Sequence, residues 1–295
     1  MKLVSFNVNG IRASVKKGLA DSLQAMDADI VCFQETKANP EQVAEALADV
    51  KGYHLTAYSA EKAGYSGTAI LSREKPVRVD HGIGGDEHNT EGRVITATFA
   101  DHIVVNAYIP NSGQGLKRLE YRQQWDIAMR EYLVNLASGK RPVIFTGDLN
   151  VAHQPIDIAR PKANYNKTAG YTQQEIDGMS ALLGEGFSDT FRHFHPEVVK
   201  YSWWSQRFGA REQNIGWRLD YVLGEQRLRE KSEGRLHPQR GDGQRPLPGR
   251  DRMVVPIIRS DDQMMECRCR DGLSNYSISG LPQRTLMRIG LEGTQ

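Results

Sequence analysis

An unbroken apolar run, Pro142-Val143-Ile144-Phe145-Thr146-Gly147, stops at Asp148-Leu149-Asn150, placing a carboxylate and a carboxamide two residues apart. β-Branched and aromatic residues without a polar break predict a strand buried on both faces, and a spacing of two predicts side chains on one side of its end. Such a pair suits orienting and deprotonating a water, or holding a metal-bound phosphate. Gly-Asp also closes strands as a plain turn, so the pair gains meaning only from similar residues at other strand ends. Asn7 and Asn9 follow Leu3-Val4-Ser5-Phe6, either to hold a metal water or a phosphate oxygen or to cap a turn. Glu35 follows Ile30-Val31-Cys32-Phe33, as a solvated carboxylate or, facing Asp148, as a hard-oxygen ligand for Mg²⁺. Tyr108 ends Ile103-Val104-Val105-Asn106-Ala107, as a phosphate contact or a core tyrosine. Asp220 sits inside Gly216-Trp217-Arg218-Leu219-Asp220-Tyr221-Val222-Leu223, where burial demands a partner, a histidine or a metal water.

Several elements must position these groups. The sequence predicts strands at Leu3–Phe6, Asp29–Phe33, Tyr53–Tyr58, Thr68–Ser72, Val94–Phe99, His102–Ile109, Val143–Gly147 and Gly216–Leu223. It predicts helices around Lys17–Met26, at Pro40–Val50, at Gly115–Leu136, and from Thr172, where Glu175 is placed for a capping box. Close strand spacing with hairpin-like turns favours antiparallel or mixed sheets over a pure βαβ repeat. Lys117, Arg118 and Arg122 at the start of the Gly115–Leu136 helix either contact a phosphate backbone or line a solvated face. Tyr201-Ser202-Trp203-Trp204-Ser205 and Arg207-Phe208 mix aromatics with cations, which suits stacking on bases, with one adjacent tryptophan expected in the core and one outside. The long polar stretch from Val151 to Tyr171 is expected to be functional rather than idle.

Bulk properties set limits. A chain of 295 residues can bury a sizeable core as one large α/β domain or two smaller ones. A net charge of +2 does not by itself argue for a polyanion, so any DNA-binding surface must be a local basic patch. The three cysteines show no disulfide or zinc spacing, Met1–Phe6 runs into a strand pattern rather than a signal peptide, and no stretch suits a membrane span. A cytoplasmic monomer is the expectation.

Seven motifs in order, Phe6-Asn7-Val8-Asn9-Gly10, Gln34-Glu35-Thr36-Lys37, Gly64-Tyr65-Ser66-Gly67, Glu91-Gly92-Arg93, Tyr108-Ile109-Pro110-Asn111, Gly147-Asp148-Leu149-Asn150 and Gly216-Trp217-Arg218-Leu219-Asp220-Tyr221, resemble the exonuclease III family of abasic-site endonucleases, within the deoxyribonuclease-I-like phosphoesterases. The resemblance spans residues 1 to about 223. It implies a four-layered α/β sandwich, two mixed sheets flanked by helices, with the site at one end of the sheets. It implies Mg²⁺-dependent (or Mn²⁺-dependent) cleavage 5′ to abasic sites in duplex DNA, with action at 3′ ends. By position, it implies Glu35 as metal ligand with Asn7 beside it, Tyr108 on the phosphate, Asp148 and Asn150 on the attacking water, and Asp220 on a histidine. Trp203 and Trp217 match positions near a flipped-out sugar, and Asn111, Lys117, Arg118 and Arg207 complete the expected DNA-contacting set.

The resemblance also implies a C-terminal Ser-Asp-His motif, which this chain lacks. Its only histidine beyond Asp220 is His237, in the different context Leu236-His237-Pro238. From Ser232 to Gln295 there is no lysine and no strand alternation. Read one nucleotide over, synonymous codons for Gly234 to Arg252 permit a peptide containing Gly-Ser-Asp-His-Cys-Pro. The expectation is a nuclease domain over 1–231 and an out-of-frame tail over 232–295, poorly ordered, leaving the body without an inner strand and with an open sheet edge. Two other functions compete with DNA repair on the same fold: hydrolysis of a phospholipid or inositol phosphate, which the tryptophans and basic residues disfavour, and silent nucleic-acid binding, which loss of the histidine favours.

Overall fold

In the computed structural model the described residues are 1–225, together with the backbone strands at 254–259 and 263–268. One sheet contains β1 (Leu3–Asn7), β2 (Ile30–Gln34), β3 (His54–Tyr58), β4 (Thr68–Ser72), β13 (Val254–Arg259) and β14 (Gln263–Arg268), in the order β14-β13-β1-β2-β4-β3. The other contains β5 (Arg78–His81), β6 (Val94–Thr98), β7 (Ile103–Tyr108), β8 (Val143–Asp148), β9 (Phe187–Asp189) and β12 (Asp220–Glu225), in the order β5-β6-β7-β8-β12-β9. Both sheets are mixed: β1–β2, β1–β13 and β7–β8 run parallel and the other neighbours antiparallel. A ribbon of β10 (Trp203–Trp204) and β11 (Gly216–Trp217) stands apart.

Three apolar clusters make four layers. Leu3, Ile30, Cys32 and Ile70 of the first sheet pack on Ile95, Val104, Ile144 and Val222 of the second, so the sheets lie face to face. Outside the first sheet, α1 (Ile11–Lys16), α2 (Leu19–Met26) and α3 (Pro40–Ala46) bury Ile11, Leu23 and Val43 against Val31, Phe33 and Leu71. Outside the second, α4 (Leu119–Ala137) and α6 (Gln173–Gly184) bury Trp125, Met129, Leu133 and Met179 against Val105, Phe145 and Leu223. The four-layered α/β sandwich is therefore present as expected. Cys32 lies buried between the sheets, and burial pushes its thiol far above the usual range.

Local chemistry explains where elements begin. Asn39 caps α3 by accepting from the Gln42 N–H, with Pro40 at its start, and Thr172 with Glu175 forms the capping box of α6. The helix expected from Gly115 instead starts at Leu119, because Gly115 and Leu116 both take positive φ (67° and 58°). The strand expected over Gly216–Leu223 is broken at Arg218 and Leu219. Trp203 is 36% exposed and Trp204 partly so, so neither of the adjacent pair enters the core as expected.

At the β1 edge the structure differs from expectation. β13 pairs parallel with β1, Ser5 opposite Ile257 and Asn7 opposite Arg259, and β14 closes on β13. The backbone groups of β1 are thereby satisfied. The absence of strand alternation from Ser232 onward had argued against a strand there. The boundary at residue 231, the proposed Gly234–Arg252 peptide and His237 lie outside the described residues. Among the described residues no helix is long and apolar enough to cross a membrane.

The stretch from Val151 to Tyr171 is pinned rather than loose. It holds a 3-10 turn at Pro155–Asp157 and the short α5 (Pro161–Asn164). Asp157, fully buried, accepts from Arg218 Nε (2.8 Å) and Nη2 (2.9 Å) and from Arg192 Nε (3.0 Å) of α7 (Thr190–Phe194), while Arg218 also reaches Asp189 at 2.7 Å. Burial pushes the Asp157 carboxyl up, but the Arg218 and Arg192 guanidiniums outweigh it and leave it below its usual range. The folded protein thus favours the carboxylate more than the unfolded chain does. This stabilisation is full above the unfolded value of about 4 and is lost as pH falls through the lower folded value. Asp157→Asn is expected to cost about 3–5 kcal/mol at pH 7, because Arg192 loses its carboxylate partner and Arg218 one of its two. Urea denaturation at pH 7 and pH 3 checks this: the gap from wild type should narrow at pH 3, and an unchanged gap contradicts it.

Candidate active site

Along the facing sides of the sheets, side chains change from apolar to polar, and on β7 and β8 they end in ionisable groups. On β7 the order is Val104, Asn106, Tyr108; on β8 it is Ile144, Thr146, Asp148; on β1 it is Leu3, Ser5, Asn7; on β2 it is Ile30, Cys32, Gln34. The middle polar rank is tied together, with Gln34 Nε2 donating to Asn106 Oδ1 (2.7 Å) and Ser5 Oγ (3.0 Å), and Asn106 Nδ2 donating to the Phe33 and Ala69 carbonyls (3.0 Å each). These buried bonds fix the register of one sheet on the other directly beneath the site. Sequence reasoning passed over Gln34 and Asn106 as pins, although Asn106, a polar residue between Val105 and Ala107, carried the signal for one.

At the end of that gradient, Tyr108, Asp148 and Asp220 are paired in register across three neighbouring strands. From the other sheet, Asn7 Nδ2 donates to Asp148 Oδ2 at 2.8 Å and to Glu35 Oε1 at 3.0 Å. One carboxamide therefore bridges two carboxylates carried by different sheets. Asn9 takes the turn role instead: it is exposed with φ 46°, and its N–H donates to Asn7 Oδ1 at 3.0 Å. Glu35 sits in a left-handed conformation (φ 54°) stabilised only by its surroundings. Burial pushes its carboxyl up, yet hydrogen bonds from Asn7, Lys37 and Tyr108 bring it below its usual range. The Lys37 ammonium lies 2.8 Å from Glu35 Oε2, a cation that sequence reasoning did not single out. Burial, followed by the Glu35 and Asp148 charges, drives the Tyr108 hydroxyl well above its usual range, so it stays a proton donor.

Asn150 meets Asp148 by a turn, not by strand alternation. β8 ends at Asp148, Asn150 takes φ 48°, and its backbone N–H donates to Asp148 Oδ1 at 3.1 Å. Its side chain donates to the Ile109 carbonyl (2.9 Å) and accepts from Asn111 Nδ2 (3.1 Å). Gly147 permits the approach: at φ 141°, an added Cβ would lie 1.9 Å from the Ala107 carbonyl oxygen. Asp220 is buried, with its backbone N–H on Ser202 Oγ.

The expected DNA-contacting residues fall into two groups. Trp217 is buried with Tyr171 edge-on (6.4 Å between centroids), and a Cβ added at Gly170 would lie 3.5 Å from its ring and 3.2 Å from the Asn150 carbonyl oxygen, so the ring lies close to the Asn150 turn. Trp203 lies edge-on to Trp217 at 6.2 Å. Lys117 and Arg207 are exposed. Arg118 is half-committed, donating to Glu91 (3.1 Å) and to the Tyr65 hydroxyl (3.1 Å). Arg122 leaves the surface altogether. It is 1% exposed, pairs with Asp126, and donates to the carbonyls of Pro110 (3.1 Å), Leu149 (3.0 Å) and Asn150 (3.3 Å). A solvated or phosphate-contacting face is thus corrected to a buried clamp under both site loops; its one charged neighbour four residues on, Asp126, was the available signal.

Residues 4–261 match the endonuclease/exonuclease/phosphatase family. The chain belongs to that family. Within the family, it is 48% identical over 235 residues to an exodeoxyribonuclease of Bacillus subtilis, covering 79% of this chain and 91% of that one. It is 46% identical to the DNA repair nuclease APEX1 of Danio rerio, covering 76% and 72%. An AP endonuclease structure from Archaeoglobus fulgidus superposes with a TM-score of 0.71 at 31% identity, covering 77% of this chain and 88% of that one. In this chain the loops after β7 and β8 are held from beneath by one buried arginine. Arg122→Met should destabilise the protein by about 3–5 kcal/mol, since Asp126 and three carbonyls lose their partner, and should speed hydrogen exchange at the Asn150 amide. Urea melts and amide-resolved exchange check both; an unchanged Asn150 rate contradicts the clamp.

Proposed function

We propose that this chain is a metal-dependent DNA-repair nuclease that hydrolyses the phosphodiester 5′ to abasic sites in duplex DNA and acts at 3′ ends. The observation that carries it is the bridge from Asn7 to both Glu35 and Asp148, which assembles two carboxylates and the Tyr108 hydroxyl where the sheets end. Relatives named as exodeoxyribonuclease, DNA repair nuclease and AP endonuclease support the substrate class. Trp217 and Trp203 offer aromatic surface for a displaced sugar or base.

The donors fit Mg²⁺, or Mn²⁺. Glu35 offers hard oxygen, with Asn7 beside it turning its NH₂ to Glu35 and its Oδ1 to the Asn9 N–H, and the Lys37 ammonium marks the Glu35 carboxylate as a place where positive charge is favourable. When bound, the ion would offset negative charge on the phosphate oxygens. Asp148, its Oδ1 fixed by the Asn150 N–H and its Oδ2 by Asn7, orients a water and takes its proton. Tyr108 donates to a phosphate oxygen as charge builds there. Asn150 works through Asp148 rather than on the water itself.

One observation favours a second function, nucleic-acid binding without turnover: the sequence has no Ser-Asp-His motif. Cleavage of a duplex with one abasic site, in Mg²⁺ or in EDTA, separates the two. The 295-residue chain would be run beside a version with the frame after Lys231 restored. The restored chain should cut in Mg²⁺ only, and the 295-residue chain at least about 10²-fold more slowly, the usual worth of a proton-transferring side chain. Equal rates overturn the account of the tail. Silence in both overturns the nuclease and leaves binding.

A further inference from the structure

We propose that Arg93 is the positioning residue for Tyr108, gripping the tyrosine by its backbone and by the face of its ring so that the hydroxyl is aimed into the site. The Arg93 carbonyl accepts the Tyr108 N–H at 2.9 Å, and Arg93 Nη1 donates back to the Tyr108 carbonyl at 2.8 Å. The guanidinium carbon stands 4.7 Å from the centroid of the Tyr108 ring. Tyr108 is the last residue of β7, where the strand can no longer fix a side chain from both directions. Arg93 supplies the missing constraint.

The rest of the arginine is fully committed. Its Nε donates to Glu91 Oε2 (2.6 Å) and its Nη2 to the Tyr65 hydroxyl (3.0 Å), with the residue only 2% exposed. Glu91 and Tyr65 are themselves bonded by Arg118, which reaches the surface. A planar guanidinium can stack on a ring and donate in three directions at once; a lysine keeps the charge but only a point of contact. The alternative is a buried ion pair that serves stability alone. That alternative would not single out the hydroxyl of Tyr108.

The role on the phosphate rests on the nuclease function proposed above, so the test has one readout with DNA and one without. In cleavage of the abasic duplex by the full chain, Arg93→Lys should lower kcat about tenfold with KM within about twofold. In a Tyr108→Phe background, where the ring remains but the aimed hydroxyl is gone, the same change should cost less than about twofold. Equal losses in the two backgrounds overturn the proposal. Glu91→Gln, at a partly exposed position, should give the same pattern with a smaller loss if Arg93→Lys fails to fold. Independently of DNA, the ¹³Cζ resonance of Tyr108, assigned by its disappearance in Tyr108→Phe, should shift in Arg93→Lys and in Glu91→Gln while tyrosines remote from Arg93 stay put. An unmoved Tyr108 signal overturns the proposal even if cleavage falls. Silence of both the 295-residue chain and its frame-restored version on DNA overturns the function and leaves the tyrosine signal to decide this inference.

Discussion

Two carboxylates held close together repel unless something between them donates to both. Here that is a single carboxamide, Asn7 Nδ2, which bonds Asp148 from one sheet and Glu35 from the other. The remainder of the sandwich can be understood as what keeps this bridge in place. Apolar faces press the sheets together, Gln34 and Asn106 lock their register, and only then do the last side chains of β1, β7 and β8 converge. A one-residue slip of either sheet would turn these groups to the opposite face.

Buried arginines perform the second task, holding irregular backbone at the strand ends. Arg122 gathers the carbonyls after β7 and β8, Arg93 grips Tyr108, and Arg218 joins the Asp157 loop to the start of β12. Each carries an acidic partner, so charge taken out of water is offset where it is buried. Asn150, whose carbonyl accepts from Arg122, keeps φ 48° without glycine.

Much of this was legible in the sequence because strands buried on both faces leave a plain signal when they end in polar residues. Asp148, Glu35, Tyr108 and Asn7 all stand at such ends; strand spacing pointed only to antiparallel or mixed sheets, and the layered fold came from the family resemblance that these motifs carry. The residues that sequence reasoning misplaced are those whose role depends on distant backbone. Arg122 has the letters of a solvated helix face, and only three carbonyls from two loops make it a clamp. Arg93 precedes an ordinary strand, and its target lies across a hairpin. Asn150 reaches Asp148 through a left-handed turn that a spacing of two does not reveal. At β13, the lack of apolar–polar alternation hid a strand that pairs with β1.

The central claim is that Asn7, Glu35 and Asp148 act as one unit. The most direct measurement is single-turnover cleavage of an abasic duplex in Mg²⁺ by Asn7→Ala, Glu35→Gln and the double variant of the 295-residue chain. Groups acting together give strongly non-additive losses, so the double variant should be no more than about threefold slower than the worse single one. Losses that multiply, or an Asn7→Ala chain as fast as wild type, would contradict the account.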